Sequence, residues 1–451
     1  MWKSFNMGNV IYKAYQALRG YSYSSYYRLI TQNVKQNKVK QLSDRFLQEL
    51  LLHAYRKVPY YRSKLSDCGV IYSDDKVNLE RFKNLPILTK DIIRQEGSNL
   101  WASDYKKRKW YSNSSGGSTG EPLHLIQDRE YARWVLATNK FFYTEMLGLS
   151  WPFARKVVLW GSEREFLTGG YGFRKLLSDK INNTITLNTF KLSKEAMRDY
   201  INIINSFKPE VIIGYAMSLY EICFYASNNG LQLHQPKFVV AQAEMLRDDI
   251  RKIIEESFRA KVCNFYGSRE ASAIAGESTQ GLMNVFSFNN LIEIVNSQGK
   301  PVGHQEEGEI LLTNLHNYSM PLIRYAIGDT GVWDDCAEAS SGLAVFKHIT
   351  GRVMDNFVAK DGSIIPGSTL SLTFNLKDWV KNFQIIQEEA GWIRFLVVTK
   401  AVPNLQEQEE IEHKFKKLLG NDCRIDWDYV SEIPKTITGK HLFIKSHVRR
   451  K

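Results

Sequence analysis

The chain has 451 residues, 43% of them hydrophobic and 24% charged, with a formal net charge of +12. That length holds more than one domain and a large core, and the composition is that of a globular protein. Five scattered cysteines with no Cys-x-x-Cys pair exclude a disulfide framework and a zinc site, and no uninterrupted apolar span is long enough to cross a membrane. The start, Met1-Trp2-Lys3-Ser4-Phe5, lacks a signal-peptide apolar core. A cytoplasmic protein is therefore predicted.

Residues 1–40 are basic and aromatic, with Tyr21, Tyr23, Tyr26 and Tyr27 close together. Such an opening can rest on a membrane surface or fold as a helical arm on its own domain. Leu42 to Val58 carries apolar residues at helical spacing and is stopped by Pro59. A further helix starts near Thr89, whose hydroxyl suits an N-cap. Ser115-Gly116-Gly117-Ser118-Thr119-Gly120-Glu121-Pro122 is too rich in glycine for a helix or strand. It is either a plain linker or a cradle whose backbone N–H groups and hydroxyls face a phosphate. No Gly-Lys-Ser/Thr follows, so it is not the common nucleotide loop.

Beyond it, helices are predicted over Arg129–Leu147, Ser193–Ser206 and Arg247–Phe258. Strands are predicted over Lys156–Trp160, Glu210–Tyr215, Lys237–Ala241 and Lys261–Gly267. This alternation predicts an α/β domain with a parallel sheet. Leu167 to Gly172 forms a second glycine-rich loop. From about residue 289 the texture turns to short strands (Ile292–Val295, Glu309–Thr313, Val332–Trp333), a β-rich subdomain ending at Gly351-Arg352. The remaining residues, 352–451, read as a small α+β domain: strands Phe383–Gln387 and Ile393–Val398, helix Leu405–Leu419 and strand Cys423–Trp427.

Four further stretches carry chemistry-bearing types. Tyr266-Gly267-Ser268-Arg269-Glu270 ends a strand; it offers an aromatic face to a base and a carboxylate to Mg²⁺, although Glu270 also suits a helix N-terminus. Gly328-Asp329 can hold ribose hydroxyls or close a hairpin. Thr350-Gly351-Arg352 sits at the predicted domain break. Gly439-Lys440 places a lysine on a C-terminal turn that is either surface decoration or a mobile cation.

In this order, the motifs resemble those of adenylate-forming enzymes, above all the phenylacetate–coenzyme A ligase family and its capsular and exopolysaccharide branch. His53-Ala54-Tyr55-Arg56-Lys57-Val58-Pro59, Leu85-Pro86-Ile87-Leu88-Thr89-Lys90, Leu167-Thr168-Gly169-Gly170 and Ala243-Glu244 extend the resemblance over most of the chain. It implies an ANL-like fold with a large N-terminal domain (1–351, the arm 1–40 and the β-rich part about 289–351 included) and a small mobile C-terminal domain (352–451). It implies attack of a small-molecule carboxylic acid (uronic, aromatic or amino acid) on the α-phosphate of ATP. The acyl group then passes to an acceptor thiol, with coenzyme A as co-substrate, or to an amine. By position, Ser115, Gly117, Ser118, Thr119 and Gly120 would cradle phosphates, and Ala243, Glu244, Tyr266 and Gly267 would line the adenine. Asp329 and Arg352 would hold the ribose or phosphate and Glu270 would hold Mg²⁺. Lys440, with Glu270 and Thr119, would act in catalysis. Trp160-Gly161-Ser162, Tyr171 and Tyr215 would shape the acid pocket.

The chain departs from the family pattern where Gly116 stands for a hydroxyl residue, Glu121 for a frequent lysine, Arg269 for a threonine and Met354 for the Asp or Lys of the hinge, with Asp355 one residue later. These departures bear on phosphate binding and on the hinge, and they leave open a non-catalytic protein that keeps the fold. No basic, aromatic-interleaved motif points to nucleic acid.

Overall fold

In the computed structural model, the described residues are 12, 20–73, 76–114, 123–161, 179–190, 192–334, 342–350, 357–365, 367, 370, 373–374, 377–433 and 443–448. In chain order the elements used below begin with helices α1 (Ser24–Lys35), α2 (Val39–Lys57) and α3 (Pro59–Asp67). A hairpin follows, β1 (Tyr111–Ser114) and β2 (His124–Gln127), then α4 (Arg129–Phe141). Next come β3 (Lys156–Leu159), β4 (Thr184–Leu187), α5 (Lys194–Phe207), β5 (Val211–Tyr215), α6 (Ala216–Asn228), β6 (Phe238–Gln242) and α7 (Asp248–Phe258). Strands β7 (Lys261–Ser268), β8 (Ser272–Glu277), β9 (Met283–Val285), β10 (Asn290–Val295), β11 (Gly308–Asn314), β12 (Tyr325–Trp333) and β13 (Val345–Thr350) lead to the last part. That part holds β14 (Val380–Glu389), β15 (Trp392–Thr399), α8 (Leu405–Leu419), β16 (Arg424–Tyr429) and β17 (Ile444–Ser446).

The chain forms two compact units, one of residues 1–115, 123–152 and 263–351, the other of 116–122, 153–262 and 352–451. In the first, an antiparallel sheet runs in the order β10-β11-β12-β13-β9-β8-β7. Helix α4 begins where Asp128 accepts the Tyr131 N–H at 2.9 Å, an N-cap that satisfies one orphan donor of the first turn. Pro59 does end α2, and it also opens α3 at the first helical position, where its missing N–H costs nothing.

The tyrosines of the arm pack on α4. Tyr26 meets Trp134 edge-on at 5.1 Å, Tyr27 donates to the Glu145 carboxylate, and the Lys140 ammonium lies 4.5 Å from the Tyr27 ring. These rings are spent on the protein's own helix. No helix of the described residues is long and apolar enough to cross a membrane.

In the second unit, β6-β5-β3-β4 form a parallel set, and their apolar runs Val-Val-Leu, Val-Ile-Ile and Phe-Val-Val are the near-continuous kind that sheets covered on both faces require. Helices α5, α6 and α7 bury Ile201, Ile204, Leu219, Ile222, Ile250 and Ile254 in the core with them. The C-terminal part is a sheet in the order β16-β15-β14-β17, with the Ile411, Phe415 and Leu418 face of α8 in its core. Phe190 joins that core, and Leu192 and Ile364 exchange backbone hydrogen bonds of 2.9 and 2.8 Å.

Each element predicted from the sequence and lying among described residues is present, with ends shifted by a residue or a few. The larger difference is in β12. The short strand predicted at Val332–Trp333 begins seven positions earlier, at Tyr325, so Asp329 lies inside a strand rather than on a hairpin turn.

His316 holds α4 and α2 to the sheet unit. Its ring stacks on Trp134 at 3.8 Å and meets Phe46 edge-on at 4.9 Å, and its Nε2 donates to the Phe288 carbonyl at 2.8 Å. Burial lowers its pKa from 6.5 to about 3, so the folded state keeps it neutral. A folded value below the unfolded one means full stability above about pH 6.5 and loss as pH falls, because the unfolded chain takes the proton first. Each pH unit between about 6.5 and 3 costs about 1.4 kcal/mol. Urea titrations at pH 7.5, 5.5 and 4.5 are expected to show His316→Gln with a shallower loss by that amount per unit.

Candidate functional site

The hairpin of β7 and β8 carries the Tyr266–Glu270 motif. Ser268 pairs with Ser272, and Arg269, Glu270 and Ala271 form the loop between them. Ser272, the first residue of β8, takes φ +57°, a left-handed conformation next to the loop. Ser268 Oγ accepts the Ala271 N–H at 3.1 Å and tightens the turn. Gly267 is dictated by space: a Cβ there would collide with the Ser272 carbonyl oxygen across the hairpin.

Tyr266 and Asp329 are 63 positions apart and meet directly. The phenol donates to Asp329 Oδ2 at 2.7 Å. Asp329 reaches it through a bulge: β11–β12 pairing passes from Leu311–Ala326 to Glu309–Thr330, so Ile310 faces Ile327, Gly328 and Asp329. Gly328 at φ +93° absorbs the irregularity. Bulges of this kind bend a strand and re-aim a side chain.

Glu270 is buried, at 7% exposure, and its Oε1 accepts the Tyr325 hydroxyl at 3.4 Å. Among the described residues no hydrogen bond reaches its other carboxylate oxygen. No group of three His, Cys, Asp or Glu that could hold a metal alone exists among the described residues. A single hard oxygen donor fits Mg²⁺, which is bound by one or two carboxylates together with substrate phosphates and water rather than by an all-protein cage. Glu270 thus fits the ion as one ligand.

The stem that brackets the glycine-rich loop, Ser114 paired with His124, belongs to the same unit. The Gln127 amide donates to the Arg269 carbonyl at 3.0 Å and to that of Glu270 at 3.4 Å. Asn113 and the Arg269 guanidinium complete the contact between the stem and the turn. Beside it a cavity of about 450 Å³ opens, lined by Tyr111, Gln127, Tyr131, Leu136, Ser268 and Arg269 among others.

Arg324 stands at the head of β12 with φ +50° and 2% exposure. Its guanidinium is bonded to Glu293 at 3.0 Å, to the Lys83 carbonyl at 2.7 Å and to the Gly299 carbonyl at 3.2 Å. It anchors the start of the strand that carries Tyr325 and Asp329.

In the second unit, Ala243 and Glu244 follow β6. Ala243 is held at φ +65°, a conformation costly without glycine, and the turn sends the Glu244 carboxylate to the Met217 N–H of α6 at 3.0 Å. Trp160 follows β3 and Tyr215 ends β5, and their rings stack at 4.2 Å. The chain leaves β3 for β4 on one side and returns to β5 on the other. Carboxyl ends of parallel strands at such a reversal form the usual ligand crevice of an open α/β sheet.

The structure thus brings Tyr266, Gly267, Glu270 and Asp329 together in one unit, and Ala243, Glu244, Trp160 and Tyr215 lie in the other. Ser115, Gly117, Ser118, Thr119, Gly120, Ser162, Tyr171, Arg352 and Lys440 lie outside the described residues. Asn113, Gln127 and Tyr325 were not anticipated. A polar pair flanking a glycine loop was the available signal for the first two.

Glu244→Ala removes an acceptor from a helix N-terminus and is expected to cost about 1–2 kcal/mol in urea unfolding.

Comparison with known proteins places these features in a wider group. Residues 357–447 match the family described as the CapK C-terminal domain. The chain is 22% identical to Protein CapK of Staphylococcus aureus over 446 residues, 94% of this chain and 93% of the other. It is 23% identical to a phenylacetate-coenzyme A ligase of Thermus thermophilus over 374 residues, 80% of each chain. In structure it resembles 2-hydroxyisobutyryl-CoA ligase, solved with an acyl-AMP and CoA. The TM-score is 0.61 at 17% identity, covering 91% of this chain and 90% of the other. The chain is related to CapK and to the phenylacetate–coenzyme A ligases, as the motif order implied, and its fold is that of the adenylate-forming ligases.

Proposed function

We propose that this protein is an ATP-dependent, AMP-forming carboxylate ligase that acts in the cytoplasm and serves capsular or exopolysaccharide assembly. A substrate carboxylate oxygen attacks the α-phosphorus of ATP and the bond to pyrophosphate breaks, leaving an acyl-adenylate. A thiol, such as that of coenzyme A, or an amine then attacks the acyl carbon, and AMP leaves.

The observation that carries this reading is the 2.7 Å hydrogen bond from Tyr266 to Asp329. It joins an aromatic face suited to adenine with a carboxylate suited to ribose hydroxyls, on strands that meet only in the folded chain. By fixing one carboxylate oxygen, Tyr266 leaves Asp329 pre-oriented to accept the paired hydroxyls of a ribose. Glu270 holds Mg²⁺, which when bound neutralises charge on phosphate oxygens. Ser115, Gly117, Ser118, Thr119 and Gly120 bind phosphate, Arg352 binds ribose or phosphate, and Lys440 offsets charge where acid and phosphate, both anionic, meet. Glu244, fixed on the N-terminus of α6, and Ala243 line the base. Trp160 and Tyr215 present a stacked aromatic wall to the acid. Relation to CapK along nearly the whole chain supports the role in polysaccharide assembly.

Three measurements test this. Incubation with ATP, Mg²⁺ and a panel of aromatic, aliphatic, amino and sugar acids is expected to release pyrophosphate, and Lys440→Ala is expected to lower that rate by about 10²-fold or more. Silence of the wild type across the panel overturns the reading, and ATP binding without release favours a non-catalytic protein of this fold. Mass spectrometry of the products with coenzyme A or amines names the acceptor. Tyr266→Phe is expected to raise KM for ATP about fivefold and to narrow the preference for ATP over 2′-deoxy-ATP, since Asp329 loses its orienting donor.

A further inference from the structure

The β7–β8 turn carries Glu270 on a loop whose own carbonyls have no ladder partner. Buried carbonyls must find donors. The Arg269 and Glu270 carbonyls, the second of them on a buried residue, find donors on the other hairpin, 142 and 143 positions away in sequence. Gln127, 2% exposed, spreads one amide nitrogen across both, at 3.0 and 3.4 Å. Asn113 donates to Gln127 Oε1 at 2.9 Å and to the Arg269 carbonyl at 3.3 Å, which fixes the Gln127 amide in the orientation that donates. Asn113 Oδ1 accepts the Ser114 N–H at 2.9 Å, and Arg269 Nη1 returns a bond to the Ser114 carbonyl at 3.4 Å. All four amide nitrogen and oxygen atoms of Asn113 and Gln127 are therefore hydrogen-bonded.

Simple packing would be met by apolar side chains between two hairpins. This contact instead spends two side-chain amides and a guanidinium on the backbone at the foot of the glycine-rich loop and at the carboxylate-bearing turn. The Glu270 side chain is held from a third strand, by Tyr325. Its backbone is therefore set by the β1–β2 stem and its carboxylate by β12.

Resting on the ligase reading above, we propose that Asn113 and Gln127 are positioning residues. Their amides register the Glu270 turn against the stem of the glycine-rich loop, so that carboxylate and stem meet a magnesium-bound triphosphate together. Neither residue touches substrate; both act through Glu270.

The test is isothermal titration of the full chain with ATP, with and without Mg²⁺. Gln127→Met and, as a less buried second variant, Asn113→Ala are each expected to weaken binding of the magnesium complex by roughly tenfold, and binding of metal-free ATP by less than about threefold. In a Glu270→Gln background the same substitutions are expected to change binding by less than about twofold, because residues acting through one group are not additive. Pyrophosphate release should follow with KM for ATP raised more than kcat is lowered. Wild-type affinity in both variants overturns the inference, as does an undiminished tenfold loss in the Glu270→Gln background, which marks a general packing role. If the wild type itself binds no ATP, the ligase reading fails and takes this inference with it; the two failures are distinct.

Discussion

A chain of buried asparagines sets the geometry on which the first unit depends. Asn290 donates to the Ala273 carbonyl at 2.8 Å, Asn314 donates to Asn290 Oδ1 at 2.9 Å, and Asn317 donates to the Ile126 carbonyl at 3.0 Å. Asn314 Oδ1 also accepts the Asn317 N–H at 2.8 Å. Next to it, Ser319 donates to Asp128, the N-cap of α4, at 3.1 Å. Groups this deep are costly when unpaired, so each bond excludes alternative registers. The chain runs from β8, through β10 and β11, to β2. It therefore fixes the strand that carries Gln127 relative to the hairpin that carries Glu270, in addition to the contacts those residues make themselves.

Strain is concentrated where chemistry-bearing residues are turned. Gly328 sits in a bulge, Ala243 and Arg324 are non-glycine residues at positive φ, and Ser272 is left-handed at the end of the Glu270 loop. Each precedes or follows a candidate site residue by a position or two. Non-glycine positions of this kind cost of order 1–3 kcal/mol and persist only where neighbours enforce them. For Arg324 the enforcement is visible, in a buried guanidinium bonded to a carboxylate and to backbone carbonyls from distant segments.

Much of this was legible in the sequence, and the reason differs by feature. The parallel strands were readable because a sheet covered on both faces demands unbroken apolar runs, and α8 because its spacing and its Asn404 and Gly420 ends agree. The motif residues were readable by type and order. The bulge at Gly328-Asp329 was not, because a glycine before an aspartate serves a hairpin turn equally well, and only the pairing with β11 decides between them. Pro59 was read as a stop because a proline ends one helix as readily as it opens the next. Asn113 and Gln127 were marked only by their places beside the glycine loop, because the Arg269 and Glu270 carbonyls they bond are main-chain groups that carry no side-chain signature.

Arg269 shows how a departure from a family pattern can be read physically. The resemblance expects a threonine before the glutamate. The guanidinium at that place reaches back to the Ser114 carbonyl, at the foot of the glycine-rich loop. The arginine thus supplies a tie between two segments. The tie runs from the Glu270 turn to the last described residue before the loop, so the side chain that departs from the pattern serves the same contact that Asn113 and Gln127 make.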